Sequence, residues 1–266
     1  MTDDTSVSLS HGPTEHVATI TLNRPGRRNA LDFDTWECLD RRLAEASASA
    51  QCEVIILTGA GGYFCSGGDL DVPPARGSRA YARVARVELA QSVIGRIDRM
   101  PQIVIAAVDG GAQGLGWSLA LACDLLIAEE AATFAAPFCA VGAVPDGGLV
   151  FRLVAALGRH RAMRIAVGLE RLSAIDAHQL GLVDAVATAG GSYDLACENA
   201  RTLLKLSGNA VQLTKSLVRA VDRPDVESYV ALELGVAALA QSHPDAAEGR
   251  SAFLERRAPR WTTNTR

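Results

Sequence analysis

The fold of this chain is indicated most clearly by one central stretch, Val104-Ile-Ala-Ala-Val-Asp-Gly-Gly-Ala-Gln-Gly-Leu-Gly-Trp-Ser-Leu-Ala-Leu-Ala-Cys-Asp-Leu-Leu-Ile-Ala128. It opens within an apolar run rich in β-branched residues, Ile103 to Val108, which predicts a buried strand, and it continues through four glycines within seven residues. The run Trp117 to Cys123 predicts a helix, and Asp124 to Ala128 predicts a second strand. A strand that breaks on glycines into a helix leaves free backbone N–H groups, which favour bound negative charge together with the helix dipole. Tight packing explains the same glycines, so the stretch alone fits either a binding site or a structural turn.

Outward from this stretch, strands alternate with helices in the first two thirds of the chain, and helices dominate the last third. The predicted strands are His16–Leu22, Glu53–Thr58, Thr133–Phe134 and Leu182–Val186; the predicted helices are Asp34–Ala48, Arg79–Met100, two short ones within Leu149–Gly168, Ser173–Gly181, and those that follow Tyr193. This order predicts an α/β fold with a parallel core, followed by a helical extension. We place the division between residues 1–200 and residues 201–266.

Composition restricts the class of protein. Of the 266 residues, 48% are hydrophobic and the formal net charge is −4, which predicts a well-packed core and argues against a nucleic-acid partner. No apolar run reaches the roughly 20 residues that cross a bilayer, and the acidic N-terminus lacks the order of a signal peptide. The six cysteines show no paired or metal-binding spacing. We therefore expect a cytoplasmic protein with reduced thiols and no membrane partner.

Six motifs, taken in order, carry a resemblance to a known family from about His16 to Trp261. They are Asn23-Arg-Pro with Asn29-Ala-Leu31, Phe64-Cys-Ser-Gly-Gly-Asp-Leu70, Val108-Asp-Gly-Gly-Ala-Gln-Gly-Leu-Gly116, Ala122-Cys-Asp124, Leu172-Ser-Ala with His178-Gln-Leu-Gly-Leu-Val-Asp184, and Phe253-Leu-Glu-Arg-Arg257. In this series the sequence resembles the crotonase superfamily of enoyl-CoA hydratases and isomerases. The resemblance implies the crotonase fold: repeated ββα units that form two roughly perpendicular sheets, with a C-terminal helical extension. It also implies a trimer or a dimer of trimers, held partly by residues 201–266, and an acyl-CoA thioester substrate.

The resemblance further implies an oxyanion hole, in which two backbone N–H groups bind the thioester oxygen. The matching positions are Ser66, after the first buried strand, and Leu115, at the glycine-rich start of the central helix. Neither side chain takes part in the donation, so a leucine at the second position does not remove the donor. Loss of one such donor typically costs about 10²–10³ in rate.

The side chains above that hole select the reaction. The two glutamates by which hydratases of the superfamily deprotonate water fall on Ser118 and Phe138, so water addition by that route is not expected, and Phe138 is read as a wall of the acyl pocket. One carboxylate remains, Asp146, in a segment that resembles single-aspartate enoyl-CoA isomerases of the phenylacetate ring-isomerase type. One carboxylate is enough to take a proton from C2 of a 3-enoyl thioester and return it at C4. Burial among apolar side chains should raise its pKa toward useful base strength, although Pro-Asp-Gly-Gly is also an ordinary turn.

The resemblance assigns substrate contacts to loops on both sides of this pocket. The C-terminal contacts are expected from a neighbouring subunit, and Tyr81 with the segment Asp71 to Val84 is expected to shape the pocket. The full set of predicted binding residues is Arg27, Arg28, Ala30, Gly67, Gly68, Asp69, Gly114, Trp117, Ser118, Phe138, Phe253 and Arg256. Asp69 is expected chiefly to brace its loop.

Several reactions stay open beside the isomerase. They are other enolate chemistry on acyl-CoA, such as hydration or dehydration, and hydrolysis or dehalogenation with Asp146 as the nucleophile. The latter needs a histidine, and the sequence has none between His16 and His160. A catalytically silent acyl-CoA-binding homologue is the alternative from outside the enzymes. Proton transfer to a stabilised enolate requires no metal and no redox cofactor, so coenzyme A is expected only as part of the substrate.

Overall fold

The computed structural model describes residues 5–77, 84–222 and 226–260. The strands are β1 Val7–His11, β2 Val17–Leu22, β3 Val54–Gly59, β4 Ile103–Val108, β5 Gly111–Gln113, β6 Leu125–Glu129, β7 Thr133–Ala135, β8 Leu172–Ser173 and β9 Ala185–Ala187. The helices are α1 Phe33–Ala48, α2 Ala85–Arg99, α3 Leu115–Leu121, α4 Leu149–Ala166, α5 Ala174–Gln179, α6 Ser192–Leu203, α7 Gly208–Asp222, α8 Val226–Ser242 and α9 Pro244–Leu254. Short 3₁₀ turns cover Pro25–Arg27 and Cys139–Val141.

A six-stranded sheet in the order β1-β2-β3-β4-β6-β9 forms the centre of the molecule. All its pairs are parallel except the edge pair β1 and β2. Every residue of β4 is buried, because side chains of α1 and α2 cover one face of the sheet and side chains of α6 cover the other. This explains why the strand reads as a continuous apolar run instead of an alternating one.

A second sheet of three strands, β5-β7-β8, lies beside the first. β5 follows β4 after Asp109 and Gly110, and β7 follows β6 in the same way, so each long strand is succeeded by a short one in the other sheet. The predicted repeated units and two sheets are therefore confirmed. The predicted fold class, α/β with a helical C-terminal region, is also confirmed.

Several predicted boundaries need correction. The central helix begins at Leu115 and not at Trp117, and β1, β5 and β8 were not predicted. The predicted helix Arg79–Met100 is described from Ala85 onward, and Tyr81 lies outside the described residues. The two short helices predicted before Gly168 are present within α4, which breaks at Gly158, where φ is 71° and ψ is 169°.

The C-terminal helices return to the core. α8 packs on α2, and α9 packs on the 3₁₀ turn Cys139–Val141. The predicted division at residue 200 falls within α6, and the division remains a prediction. No described helix is both long enough and apolar enough to cross a membrane. Four of the six cysteines are buried, whereas Cys123 is half-buried and Cys139 is exposed.

Candidate active site

Two glycine-rich loops meet at one end of the central sheet. The Cys65 N–H donates to the Gly111 carbonyl (3.3 Å), and the Gln113 N–H donates back to the Cys65 carbonyl (2.9 Å). Gly67 has a φ of 98°, and a Cβ there would lie 2.7 Å from the Gln113 oxygen and 3.3 Å from the Leu115 nitrogen. Only a glycine therefore lets the loop after β3 approach the start of α3 so closely.

The amides at this junction differ in what they bind. The Ser66 N–H donates to the Arg28 carbonyl at 2.9 Å, which argues against the predicted role of Ser66 as an oxyanion donor. By contrast, the N–H groups of Gly68 and Leu115 have no hydrogen-bond acceptor among the described residues. Both residues line the same cavity, and a Cβ on Gly68 would lie 3.6 Å from Leu115 Cδ1. The geometry thus favours Gly68 over Ser66 as the neighbour of Leu115.

 The cavity beneath these loops has a volume of about 580 Å³, and most of its lining is apolar. A separate and larger cavity lies between α3, β6 and α7. The described residues that line the cavity at the loops include Ser66, Gly67, Gly68, Leu70, Pro73, Pro74, Arg86, Gly114, Leu115, Phe138, Val141, Asp146, Arg250 and Phe253. Hence the cavity brings together the oxyanion loops, the predicted wall Phe138 and the predicted acid Asp146.

Asp146 is the one carboxylate among the described residues that line this cavity. The residue is 6% exposed, and its Oδ1 is buried without a hydrogen-bond partner among the described residues. Burial, and then the negative charge of Glu233, raise the pKa of the Asp146 carboxyl well above its ordinary value, whereas the Arg86 guanidinium acts in the opposite direction. A carboxyl group in this environment holds a proton more readily than one in water.

Ser118 supports Asp146 through a hydrogen bond to its backbone. Its hydroxyl is fully buried and donates to the Asp146 backbone carbonyl at 2.8 Å. The neighbouring Gly147 has a φ of 66°, and a Cβ there would lie 2.8 Å from Ser118 Cβ. Ser118 therefore supports the acid through its backbone, and it is not among the residues that line the cavity.

Three other predicted binding residues lie away from the cavity. Trp117 is buried in the core, where its ring packs against Phe134 with centroids 5.7 Å apart. The Ala30 carbonyl accepts a hydrogen bond from Arg24 Nη1 (2.6 Å). Asp69 accepts from Arg24 Nη2 (3.1 Å) and from the Asp71 N–H (3.1 Å), so it braces the loop as expected. None of these three lines the cavity, and their predicted contact with substrate is not supported.

The two predicted arginines lie on the exposed loop behind Ser66. Arg27 forms an ion pair with Asp71 and approaches Asp69 to 3.9 Å. The Arg28 guanidinium lies over the Tyr63 ring, 5.7 Å from its centroid. The Ser66 hydroxyl donates to the Arg27 carbonyl (3.2 Å), which joins this basic loop to the cavity wall.

The sequence and its relatives identify the family of this site. Residues 12–264 match the family described as enoyl-CoA hydratase/isomerase. The chain belongs to the enoyl-CoA hydratase/isomerase family. It is 33% identical over 249 residues to 1,2-epoxyphenylacetyl-CoA isomerase of Escherichia coli, covering 92% of this chain and 95% of the relative. It is 31% identical over 245 residues to 2,3-dehydroadipyl-CoA hydratase of the same organism, covering 92% and 94%.

Solved structures agree with this assignment. The crystal structure of an enoyl-CoA hydratase from Mycobacterium avium subsp. paratuberculosis matches with a TM-score of 0.86 and 30% identity, covering 97% of this chain and 98% of that one. The crotonase fold predicted from the motifs is therefore confirmed. Because the relatives include both an isomerase and a hydratase, family membership alone does not select the reaction.

The roof of this hydratase/isomerase cavity comes from the same chain. Phe253 on α9 lines the cavity, whereas we had predicted that a neighbouring subunit would contribute this segment. α9 lies so close to the 3₁₀ turn that a Cβ on Gly249 would meet the Val141 backbone at 2.5 Å. Arg257 lines the cavity in place of the predicted Arg256. The Arg257 guanidinium is itself paired with Glu248 at 2.6 Å.

The larger cavity, of about 870 Å³, is built on a different set of charges. There Lys215 donates to Asp124 Oδ2 (2.7 Å) and to the Gln102 carbonyl (2.7 Å). This pair ties α7 to the main sheet, so Asp124 has a structural role. Across the described part of the chain, no cluster of three or more His, Cys, Asp or Glu side chains is arranged to hold a metal ion.

Sequence reasoning missed two charged groups near Asp146, namely Glu233 and Arg86. Glu233 is the single charged residue in the apolar run from Val230 to Ala240, and a lone charge in such a run indicates a candidate buried carboxylate. Arg86 gave no comparable signal, because the helix that carries it has two other arginines, Arg96 and Arg99.

Proposed function

We propose that this chain is an acyl-CoA isomerase that shifts a double bond through a thioester enolate, from Δ3 to Δ2 or in a ring-type enoyl-CoA. One observation carries the proposal. Asp146 is the sole described carboxylate on the cavity wall, it is buried, and its pKa is raised. The same cavity is lined by two residues whose amides have no acceptor among the described residues. A single base that can also return a proton meets the requirements of a double-bond shift.

The amides of Gly68 and Leu115 would bind the thioester oxygen and stabilise the charge that develops on it. With the oxygen held, the ionised Asp146 carboxylate takes a proton from C2, and the electron pair moves into the enolate. The protonated Asp146 then returns the proton at C4, which moves the double bond and leaves the enzyme unchanged. Each amide would contribute about 10²–10³ in rate. The raised pKa of Asp146 lies closer to the pKa of the carbon acid, which makes the proton transfer less unfavourable.

The coenzyme A portion would run along the loop of Arg27 and Arg28. These arginines are exposed and adjoin the cavity through Ser66, which suits contact with phosphate groups. The acyl group would lie against Phe138 and the apolar wall near Val141. No metal or redox group has a step in this scheme.

Solvent deuterium exchange tests the proposal. Incubation of 3-enoyl and saturated acyl-CoA thioesters in D₂O should place deuterium at C2 with wild type and not with Asp146→Asn. As a control, Asp124→Asn removes a carboxylate from the other cavity and should keep exchange per folded molecule. An Asp146→Asn variant that exchanges as fast as wild type would refute the assignment.

The mass of the product separates isomerisation from the other reactions. Isomerisation leaves the mass of the acyl-CoA unchanged, whereas hydration adds one water. Ser118 and Phe138 stand where the two hydratase glutamates are expected, which favours the unchanged mass. For the hydrolase and dehalogenase readings, none of the five histidines, all of them described, lines the cavity.

A further inference from the structure

Glu233 reaches the Asp146 loop from the C-terminal helix α8. Both its carboxylate oxygens accept the Gly148 N–H, at 3.1 and 3.0 Å, and Oε1 also accepts from Gln91 Nε2 at 2.9 Å. The side chain is 5% exposed. A buried carboxylate with two donors of this kind is held in one place, and it fixes the Gly148 N–H at the end of the loop.

The charges that face Asp146 come from two helices in the described chain. Glu233 on α8 adds a negative charge that favours the protonated form of Asp146, and Arg86 on α2 adds a positive charge that favours the ionised form. Arg86 is itself anchored, since its Nη1 donates to the Asp69 carbonyl (2.6 Å) and the Val72 carbonyl (3.0 Å). Burial and the Arg250 guanidinium of α9 lower the pKa of Arg86, whereas the Asp146 and Asp69 carboxylates raise it.

We propose that Glu233 is a positioning residue for Asp146. It clamps the Gly148 end of the loop, and its charge keeps the transferred proton on Asp146 until that proton reaches C4. The catalytic part of this inference rests on the proposed isomerase function, whereas the electrostatic part concerns the free protein. Without Glu233, the Asp146 carboxyl would release its proton more readily to water.

Infrared titration of the ligand-free protein tests the electrostatic part. The protonated carboxyl band of Asp146 is assigned by its loss in Asp146→Asn, and its midpoint is followed against pH. In Glu233→Gln, which keeps an acceptor for the Gly148 N–H, the midpoint should fall by about one pH unit or more. Glu233→Leu, which suits the apolar run of α8, should lower it in the same way and serves if the glutamine variant does not fold.

A matched control separates the charge from general damage. Glu129 is also buried and accepts two backbone N–H groups, from Gly110 and Gly190, both at 2.6 Å. Glu129→Gln should lower stability and leave the Asp146 midpoint in place. An unchanged midpoint in the folded Glu233 variants, or an equal fall in Glu129→Gln, would overturn the inference.

The pH profile of kcat supplies the catalytic readout. Because the base must be ionised, the acid limb of the wild-type profile should move to lower pH in Glu233→Gln, with a smaller change in KM than in kcat. If wild type proves to have no isomerase activity, the proposed function fails alone, and the infrared midpoints still decide the role of Glu233. A shifted activity limb with unshifted midpoints would refute the inference and leave the function standing.

Discussion

The Ser118 hydroxyl shows how one residue changes the use of a site. At the position where the resemblance places a hydratase glutamate, this chain has a short side chain that donates to the Asp146 backbone carbonyl. The serine therefore supports the loop that carries Asp146, which is the proposed catalytic carboxylate. A role of this kind cannot be predicted from the residue type, since a serine inside an apolar helix is more often an ordinary core hydroxyl.

Replacement of Ser118 by alanine removes that 2.8 Å hydrogen bond. We expect kcat to fall about 10- to 100-fold, because the acid loses its alignment, with a stability loss of about 1 kcal/mol. Steady-state kinetics and urea unfolding measure both. Ser192→Ala is the matched control, since the Ser192 hydroxyl is buried without a partner in the described part of the chain, and its kcat should match wild type. Equal kcat values for Ser118→Ala and wild type would contradict the prediction.

Asp146 also makes the stability of the fold depend on pH. The pKa of its carboxyl is higher in the folded chain than in the unfolded chain, so the folded state holds an extra proton between those two values. Stability contributed by the neutral form is therefore lost as the pH rises through this window, by about 1.4 kcal/mol for each pH unit that the window spans. Asp146→Asn, which does not titrate, should escape this loss.

Urea unfolding at a series of pH values measures the effect. The free energy of unfolding of wild type should fall relative to Asp146→Asn with rising pH, and the difference should level off above the raised pKa. Parallel curves for the two proteins would show that Asp146 titrates normally.

At the scale of elements, the junction between the loop after β3 and the start of α3 is held by backbone contact. Gly67→Ala would place a Cβ 2.7 Å from the Gln113 oxygen, so we expect the loops to separate and kcat/KM to fall about 10²-fold or more. Gly62→Ala is the control. Gly62 also has a positive φ, of 71°, but has open space around it, so that variant should lose only about 1–2 kcal/mol of stability. Similar kinetics for the two variants would exclude the contact as the cause.

The elements show where prediction from sequence succeeds and fails. The bounds of β4 were predicted correctly, because a strand buried on both faces is a continuous apolar run. The edge strand β1 was missed, since its serines and histidine are exposed and it has only one buried residue. α3 was predicted two residues late, because glycines carry no helical periodicity.

The candidate site divides in the same way. Leu115 is predicted by the motif series, and Asp146 by the resemblance of its segment to single-aspartate isomerases. The preference for Gly68 over Ser66 depends on the hydrogen bond from the Ser66 N–H to the Arg28 carbonyl, which only the structure shows. Glu233 is 87 positions from Asp146 in the sequence, and no local pattern links the two. Long-range contacts of this kind follow from the fold and not from spacing.

At the scale of the whole molecule, α7 leaves an apolar surface uncovered. Leu213, Leu217 and Val218 are 58%, 69% and 61% exposed. Exposed apolar groups in such density mark an interface, so we predict that this surface contributes to the expected homotrimer or dimer of trimers.

Light scattering after gel filtration tests this association. Wild type should have a mass of three or six chains, and Leu217→Asp should shift it toward one chain. Leu169→Asp, at an equally exposed leucine outside α7, is the control and should keep the wild-type mass. A monomeric wild type would contradict the prediction.

The hydrogen bond from Gly148 to Glu233 also joins the Asp146 loop to a helix that is translated late. A nascent polypeptide can pair its parallel strands and bring its glycine loops together before α8 has left the ribosomal tunnel. Asp146, the proposed base, would acquire its final environment only when that late helix docks. We therefore expect the proposed activity to arise only after the C-terminal helices have been translated, so that an incomplete chain would not act on thioesters.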